Sequence, residues 1–300
     1  MTNPDLSGKV IIVTGGSSGL GKESALQLAK YSPRTIYITA RTAARGNAAI
    51  DEILREVPSA HGILKFLELD LGSLESVRRA ADTFLAQADR LDVLMNNAGL
   101  MASPPGLTAD GYEVQFGSNY VGPALFTKLL MPIIERTAAL SGSDTRVINL
   151  SSELFKQAPK VGLLLDQCKT PLNDISGLAR YGHAKLADHY HTLILSREYP
   201  ATMFVSIHPG VVNTGLLDDL KKRRPWLGMC ISALASLFMT DVHKGAQAQL
   251  WASTTTRESL KSGAFYNQHR KEYTDAVLFQ VDSAKKLWEW TEAEFSAKGC

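Results

Sequence analysis

Short apolar runs rich in β-branched residues alternate with amphipathic stretches along most of the chain. "KVIIVT" (9–14), "RTIYITA" (34–40), "ILKFLELD" (63–70), "LDVLMNN" (91–97), "TRVINLSS" (145–152) and "TMFVSIH" (202–208) have strand length. Helical patterns lie between them, over 23–30, 47–57 and 74–88, over a long segment of about 110–139, and around Tyr181. A loop runs from the end of the fifth strand to about 176. Strands that alternate with helices predict βαβ units and a doubly wound parallel sheet with helices on both faces. No internal repeat, low-complexity tract or linker interrupts the pattern, so residues 1–300 are read as one α/β domain.

Composition narrows the class. Hydrophobic residues make up 45% and charged residues 21%, which fits a globular protein with a sizeable core. A formal net charge of +2 gives no reason to expect a nucleic-acid partner. Cys168, Cys230 and Cys300 are few and scattered, which argues against a disulfide framework and for a reducing, cytoplasmic setting. The polar start "MTNPDLSGKV" reads as lacking a signal peptide.

The chemistry begins at "TGGSSGLG" (14–21), between the first strand and its helix. Gly15 suits a tight turn off the strand, Gly19 a close backbone approach to phosphate, and Gly21 close helix–strand packing. A pyrophosphate would then sit on the helix N-terminus, beside Ser17, Ser18 and Leu20. The residue that reads the adenosine ribose is expected about twenty positions after the last glycine. Arg41 stands there, with Arg45 four residues on. A carboxylate would accept from ribose hydroxyls, whereas an arginine fork suits a 2′-phosphate, so NADP(H) is favoured over NAD(H).

With that turn, "NNAG" (96–99), a Ser-Ser strand end and "YGHAK" (181–185), the chain resembles the short-chain dehydrogenase/reductase family over roughly residues 8–267. The insertion after the serines and "PGVVNTGL" resemble the branch of retinol-dehydrogenase-like and protochlorophyllide-reductase-like enzymes. The resemblance implies a Rossmann fold of about seven parallel strands. It implies that Asp70 and Leu71 lie near the adenine, and that Asn97, Ala98 and Gly99 line the adenosine ribose. Pro209, Gly210, Val212 and Thr214 would lie at the nicotinamide end. It further implies an acid/base Tyr181, a partner Lys185 that also holds the cofactor, a catalytic Ser152 with Ser151 as the alternative, and Asn119 holding a water in a proton relay. Twenty-nine positions separate Ser152 from Tyr181, about twice the spacing of many classical members.

The Tyr–Lys pairing has a physical reason. A free phenol, with a pKa of about 10, is a weak base near neutrality. A lysine cation roughly 5–6 Å away, at an effective dielectric near 20, contributes about 3 kcal/mol to the phenolate, or about two pKa units. Tyr181 and Lys185 share one helix face. His183, His189 and His191 invite a metal reading, but no supporting ligand set accompanies them, and no metal is expected. "KKRRPW" (221–226) is read as a solvated run. The apolar stretch Trp226 to Met239 is too short to span a bilayer. Residues of about 215–240 are read as covering a hydrophobic alcohol or carbonyl substrate, in preference to a membrane contact, and 272–300 as a helical extension. Two other readings stay open: a sugar-nucleotide epimerase or dehydratase, which also uses Tyr-x-x-x-Lys, and a non-catalytic dinucleotide sensor. Oligomeric state is not legible.

Overall fold

Strands whose every residue is buried need cover on both faces, and this sheet has it. The structure, a computed structural model, describes residues 4–210, 212 and 241–300. Seven strands, β1 (Val10–Val13), β2 (Thr35–Ala40), β3 (Leu64–Glu68), β4 (Val93–Asn96), β5 (Arg146–Leu150), β6 (Met203–Ile207) and β7 (Phe265–Tyr266), form one sheet in the order β3-β2-β1-β4-β5-β6-β7. All six pairings are parallel. Alternation along β1 divides the interior in two. Val10 and Ile12 enter one core with Phe84, Phe126 and Phe204, while Ile11 and Val13 enter the other with Leu26 and Ile53.

Among the described residues the α-helices are α1 (Gly19–Ala29), α2 (Ala43–Glu56), α3 (Leu74–Leu85), α4 (Val114–Phe116), α5 (Gly122–Ala138), α6 (Gly177–Glu198), α7 (Val242–Thr254) and α8 (Val281–Ala297). Helices α1, α2 and α7 cover one face; α3, α5 and α6 cover the other. This is the Rossmann arrangement. Helix α6 is buried nearly all round because α8 lies over its outer side. His191 stacks on Trp288, and Tyr120 hydrogen-bonds Thr291 at 2.6 Å.

The expected long helix at about 110–139 begins later than its pattern suggests. Asp110 and Gly111 form a turn, with Gly111 at φ +85°. The Glu113 carboxylate then caps α4, accepting from the amides of Gln115 and Phe116 at 3.0 and 2.7 Å. Between α4 and α5 the backbone widens into a π-turn, Gly117–Val121, around Asn119. Among the described residues no helix is long and apolar enough to cross a membrane. The segment 215–240, with its apolar run and "KKRRPW", lies outside the described residues.

His183, His189 and His191 all sit in α6, and burial pushes each imidazole down to about 4. A histidine depressed below its unfolded value of about 6.5 contributes stability above that pH and loses it as pH falls towards 4. Asp188, pushed up to about 6 by burial, acts with the opposite sign over the same window. Three imidazoles outweigh one carboxylate. The thermal unfolding midpoint is therefore expected to fall between pH 6.5 and pH 4. A midpoint that stays level across that window would show that these imidazoles become charged without unfolding the chain.

Candidate active site

Strand order reverses between β1 and β4, which opens a crevice at their carboxyl ends. The glycine turn leaves β1 at this point and is stitched to the end of β4. The Thr14 hydroxyl accepts from the amides of Asn97 and Ala98 at 2.9 and 3.0 Å, and Asn97 Nδ2 donates to the Thr14 carbonyl at 2.8 Å. The Gly15 amide donates to Thr39 Oγ1 of β2 at 3.1 Å. Gly15 and Gly19 have φ of +64° and +52°, which side chains disfavour. A Cβ on Gly21 would lie 2.5 Å from both Asn97 Nδ2 and the Gly15 carbonyl oxygen. Glycine is required there by contact. Ser17 is partly buried, and Ser18 is exposed at the start of α1, where its side chain makes no capping bond. Leu20 and Val212 both press on Gly245 of α7.

The other strand ends bring the remaining candidates to the same rim. Arg41 follows β2 and Arg45 lies in the first turn of α2; both are exposed, and neither pairs with a carboxylate among the described residues. Asp70, beyond β3, accepts from the Gly72 amide at 2.9 Å, and Leu71 is buried with its carbonyl against Gly122. Gly99 approaches both Asn119 and Lys185: a Cβ there would lie 3.4 Å from Asn119 Oδ1 and 3.9 Å from Lys185 Nζ. The Asn119 side chain pairs with Leu100 twice, Nδ2 donating to the Leu100 carbonyl and Oδ1 accepting from the Leu100 amide, both at 2.8 Å. Pro209 and Gly210 follow β6, and Gln268 lies close against Gly210. Thr214 lies outside the described residues.

Helix α6 supplies Tyr181 and Lys185, both buried. The long insertion leaves Ser152 at the site. From Ser152 the chain enters a short 3₁₀ turn, Glu153–Gln157, with Ser152 Oγ accepting from the Leu154 amide at 3.2 Å. That turn sits directly on the α6 backbone at Gly182, where a Cβ would clash with the Leu154 carbonyl and lie 2.7 Å from the Ala158 amide nitrogen. The rest of the insertion folds back onto the same helix, with the Leu164 amide donating to His183 Nε2 at 2.9 Å. The Ser152 hydroxyl faces the Tyr181 phenol and favours its ionised form. Ser151 instead donates to the Lys185 carbonyl at 2.9 Å and is buried against α6.

The electrostatics differ from a simple lysine–phenol pair. Lys185 Nζ is 5.8 Å from the Tyr181 ring centre and does favour the phenolate. Burial outweighs it, and Asp188 opposes it, so the phenol is raised above its ordinary value. The ammonium donates to the Leu150 carbonyl at 2.6 Å and to Asp188 Oδ2 at 2.8 Å. Burial also works against the Lys185 charge, but Asp188 and Tyr181 more than restore it, and its pKa is raised.

Thr14, Gly182 and Asp188 were not singled out from the sequence. Only Asp188 left a usable signal there, three residues after Lys185 on the same helix face. The three histidines go to separate surroundings: His183 stacks on Phe116, His189 meets Ser206, and His191 stacks on Trp288. Among the described residues no group of three or more His, Cys, Asp or Glu is placed to hold a metal ion.

A parallel sheet with this order, a glycine turn at its switch point and a Tyr–Lys pair on the flanking helix define a dinucleotide-binding oxidoreductase fold. Residues 9–162 match the short chain dehydrogenase family model. The chain is 35% identical to an uncharacterized oxidoreductase of Schizosaccharomyces pombe over 88% of its own length and 78% of that protein's. It is 32% identical to mouse retinol dehydrogenase 12, over 96% and 86% of the two chains. A crystal structure of an uncharacterized protein from Mycobacterium paratuberculosis superposes with a TM-score of 0.74 at 26% identity, covering 97% of this chain and 95% of that one. The chain belongs to the short-chain dehydrogenase/reductase family and is retinol-dehydrogenase-like within it.

Proposed function

We propose that this chain is an NADP-dependent oxidoreductase that interconverts a hydrophobic alcohol and its ketone or aldehyde, with Tyr181 as the acid/base. The observation that carries the reading is the convergence of Tyr181, Ser152 and Lys185 beside the glycine turn. The turn suits a dinucleotide: Gly15 and Gly19 hold it in a backbone shape that side chains disfavour, Gly21 lets it close onto Asn97, and the α1 N-terminus beside it has no side-chain cap. In this reading the pyrophosphate rests on residues 15–21, Asp70 and Leu71 flank the adenine, and Asn97 to Gly99 line the ribose. Arg41, with Arg45, takes the 2′-phosphate. Pro209, Gly210, Val212 and Thr214 attend the nicotinamide end. The bound dinucleotide supplies or accepts the hydride.

The chain's own residues handle the proton. Tyr181 gives its phenolic proton to the oxygen of the carbonyl compound as that oxygen gains charge, and takes it back in oxidation. Ser152 donates to the same oxygen and steadies it. Lys185 favours the phenolate and keeps one ammonium N–H for the cofactor ribose, since two are engaged by Leu150 and Asp188. The side chain of Asn119 is committed to Leu100, so a relay water would be held by its carbonyl. Pro123, four positions on, has no N–H to give that carbonyl, as an α-helix would require. The hydrophobic substrate class rests on the apolar residues of 215–240 and on the likeness to a retinol dehydrogenase.

Three outcomes are expected. Tyr181→Phe should leave the fold and NADP binding intact and lower turnover by about 10²-fold or more; near-normal turnover in the purified variant would remove Tyr181 from the reaction. Arg41→Asp should reverse the preference between NADP and NAD, read as the ratio of kcat/KM for the two cofactors in wild type and variant; a wild-type enzyme that prefers NAD would refute the role of Arg41. Across aldehydes or ketones of increasing chain length, kcat/KM should rise about fourfold per methylene buried, from about 0.8 kcal/mol each. A flat series, or better use of polyhydroxylated carbonyls, would dismiss the hydrophobic substrate.

A further inference from the structure

The ion pair between Lys185 and Asp188 is unusual in its setting. Both side chains are almost fully buried, at 5% and 9% exposure, and their charged atoms are 2.8 Å apart. The Leu150 carbonyl, at the last residue of β5, takes a second ammonium N–H at 2.6 Å. These two acceptors fix Nζ at the crevice, between the strand end that leads to Ser152 and the loop containing Gly99. A lysine held only by the cofactor would need neither.

We propose that Asp188 is a positioning and charge-balancing residue for Lys185, and that it sets the pH at which Tyr181 passes between acid and base. The inference rests on the acid/base role of Tyr181 argued above. With Asp188 ionised, the cluster of neutral Tyr181, cationic Lys185 and anionic Asp188 has no net charge, and ionising the phenol leaves one buried negative charge. Without the aspartate charge the cluster starts at plus one, and ionising the phenol leaves a neutral ion pair. The second process costs less in a low-dielectric interior. Because the three groups titrate together, the shift belongs to the cluster rather than to one residue.

Among the described residues, the surrounding elements add no competing charge at Asp188. Lys185 is the only charged residue among those described that acts on Asp188. On α6 itself, His189 and His191 are held neutral by burial, at about 4. β5 and the turn after it contribute the Leu150 carbonyl, Ser151 and Ser152; β6 contributes Ser206, which is uncharged, and His208, which burial keeps towards its neutral form. From the π-turn, Tyr120 feels Asp188, but burial raises its phenol far above neutrality, and it stays protonated with its oxygen on Thr291. Glu292 of α8 also acts on Tyr120 and is not among the groups that act on Asp188.

The test compares wild type with Asp188→Asn, which keeps an acceptor for Lys185 and removes the charge, and with Asp188→Ser, which shortens the side chain. With NADP bound, the near-ultraviolet absorbance of the phenolate is titrated in each protein and in the same protein carrying Tyr181→Phe, and the difference isolates Tyr181. The midpoint is expected to fall by about one pH unit in D188N, and the kcat/KM profile for alcohol oxidation to move with it, roughly tenfold on its acid limb. KM for NADP should stay near the wild-type value in D188N and rise in D188S. An unchanged midpoint in D188N overturns the proposal, as does failure of both variants to fold, which would assign Asp188 to the fold alone. Should Tyr181→Phe prove fully active, the acid/base reading fails, while the absorbance titration still reports on Asp188.

Discussion

A backbone contact with no room for a side chain organises the catalytic end of the molecule. At Gly182 the turn after β5 rests on the backbone of α6, and this seat aligns three things together. Ser152 is brought to the phenol of the preceding residue, Tyr181. The strand end carrying Leu150 comes within reach of Lys185, one helical turn on. The long insertion is anchored at its start, so its length goes into a flap over α6 and leaves the serine in place. A methyl group at 182 would part the turn from the helix and separate Ser152 from Tyr181.

That close seat also makes the site dry, and dryness decides the electrostatics. Helix α6 lies between the sheet and α8, so its polar residues cannot rely on water to support their charge. Arg180 is satisfied by Glu113 and by the carbonyl of Ser103, and Lys185 by Asp188 and Leu150. Breaking either buried pair by removing one partner leaves an uncompensated charge, which commonly costs about 3–5 kcal/mol. Burial thus opposes the charge on both Lys185 and Asp188, and their contact with one another works against that penalty. A lysine near a phenol is therefore not enough to lower it; the net charge of the whole cluster has to be counted.

Much of the architecture was legible because its signals are local. Six of the strands are apolar runs between glycine or helical signals, and the structure moves their ends by only one or two residues. β7 is two residues long, too short for any period to register. The glycine turn was legible because its spacing carries its geometry, and Tyr181 and Lys185 because one helix face carries both. Gly182 and Thr14 were not, since their partners, Leu154 and Ala158 in one case and Asn97 and Ala98 in the other, are fixed only by the tertiary fold. The helix at 114 was misplaced for a related reason: apolar periodicity continues back through Tyr112, while the Glu113 cap and the turn at Gly111 decide where hydrogen bonding starts. The net direction at the phenol was not legible, because the opposing carboxylate and the depth of burial are properties of the folded site.

The stitch between Thr14 and Asn97 has a consequence in time. The glycine turn emerges near the beginning of the chain, yet the groups that hold it arrive 83 residues later. β1 likewise finds its second sheet neighbour in β4, with Ile11 opposite Val93. During synthesis, the first strand and its helix are therefore a half-built cradle, with an apolar strand edge open until β4 leaves the ribosome. Every pairing in the sheet is parallel and each one spans a crossover, so no hairpin can form early to shield that edge. A nucleotide that grips the nascent turn would have nothing to hold it in shape. Assembly of the cofactor crevice must follow closure of the central sheet.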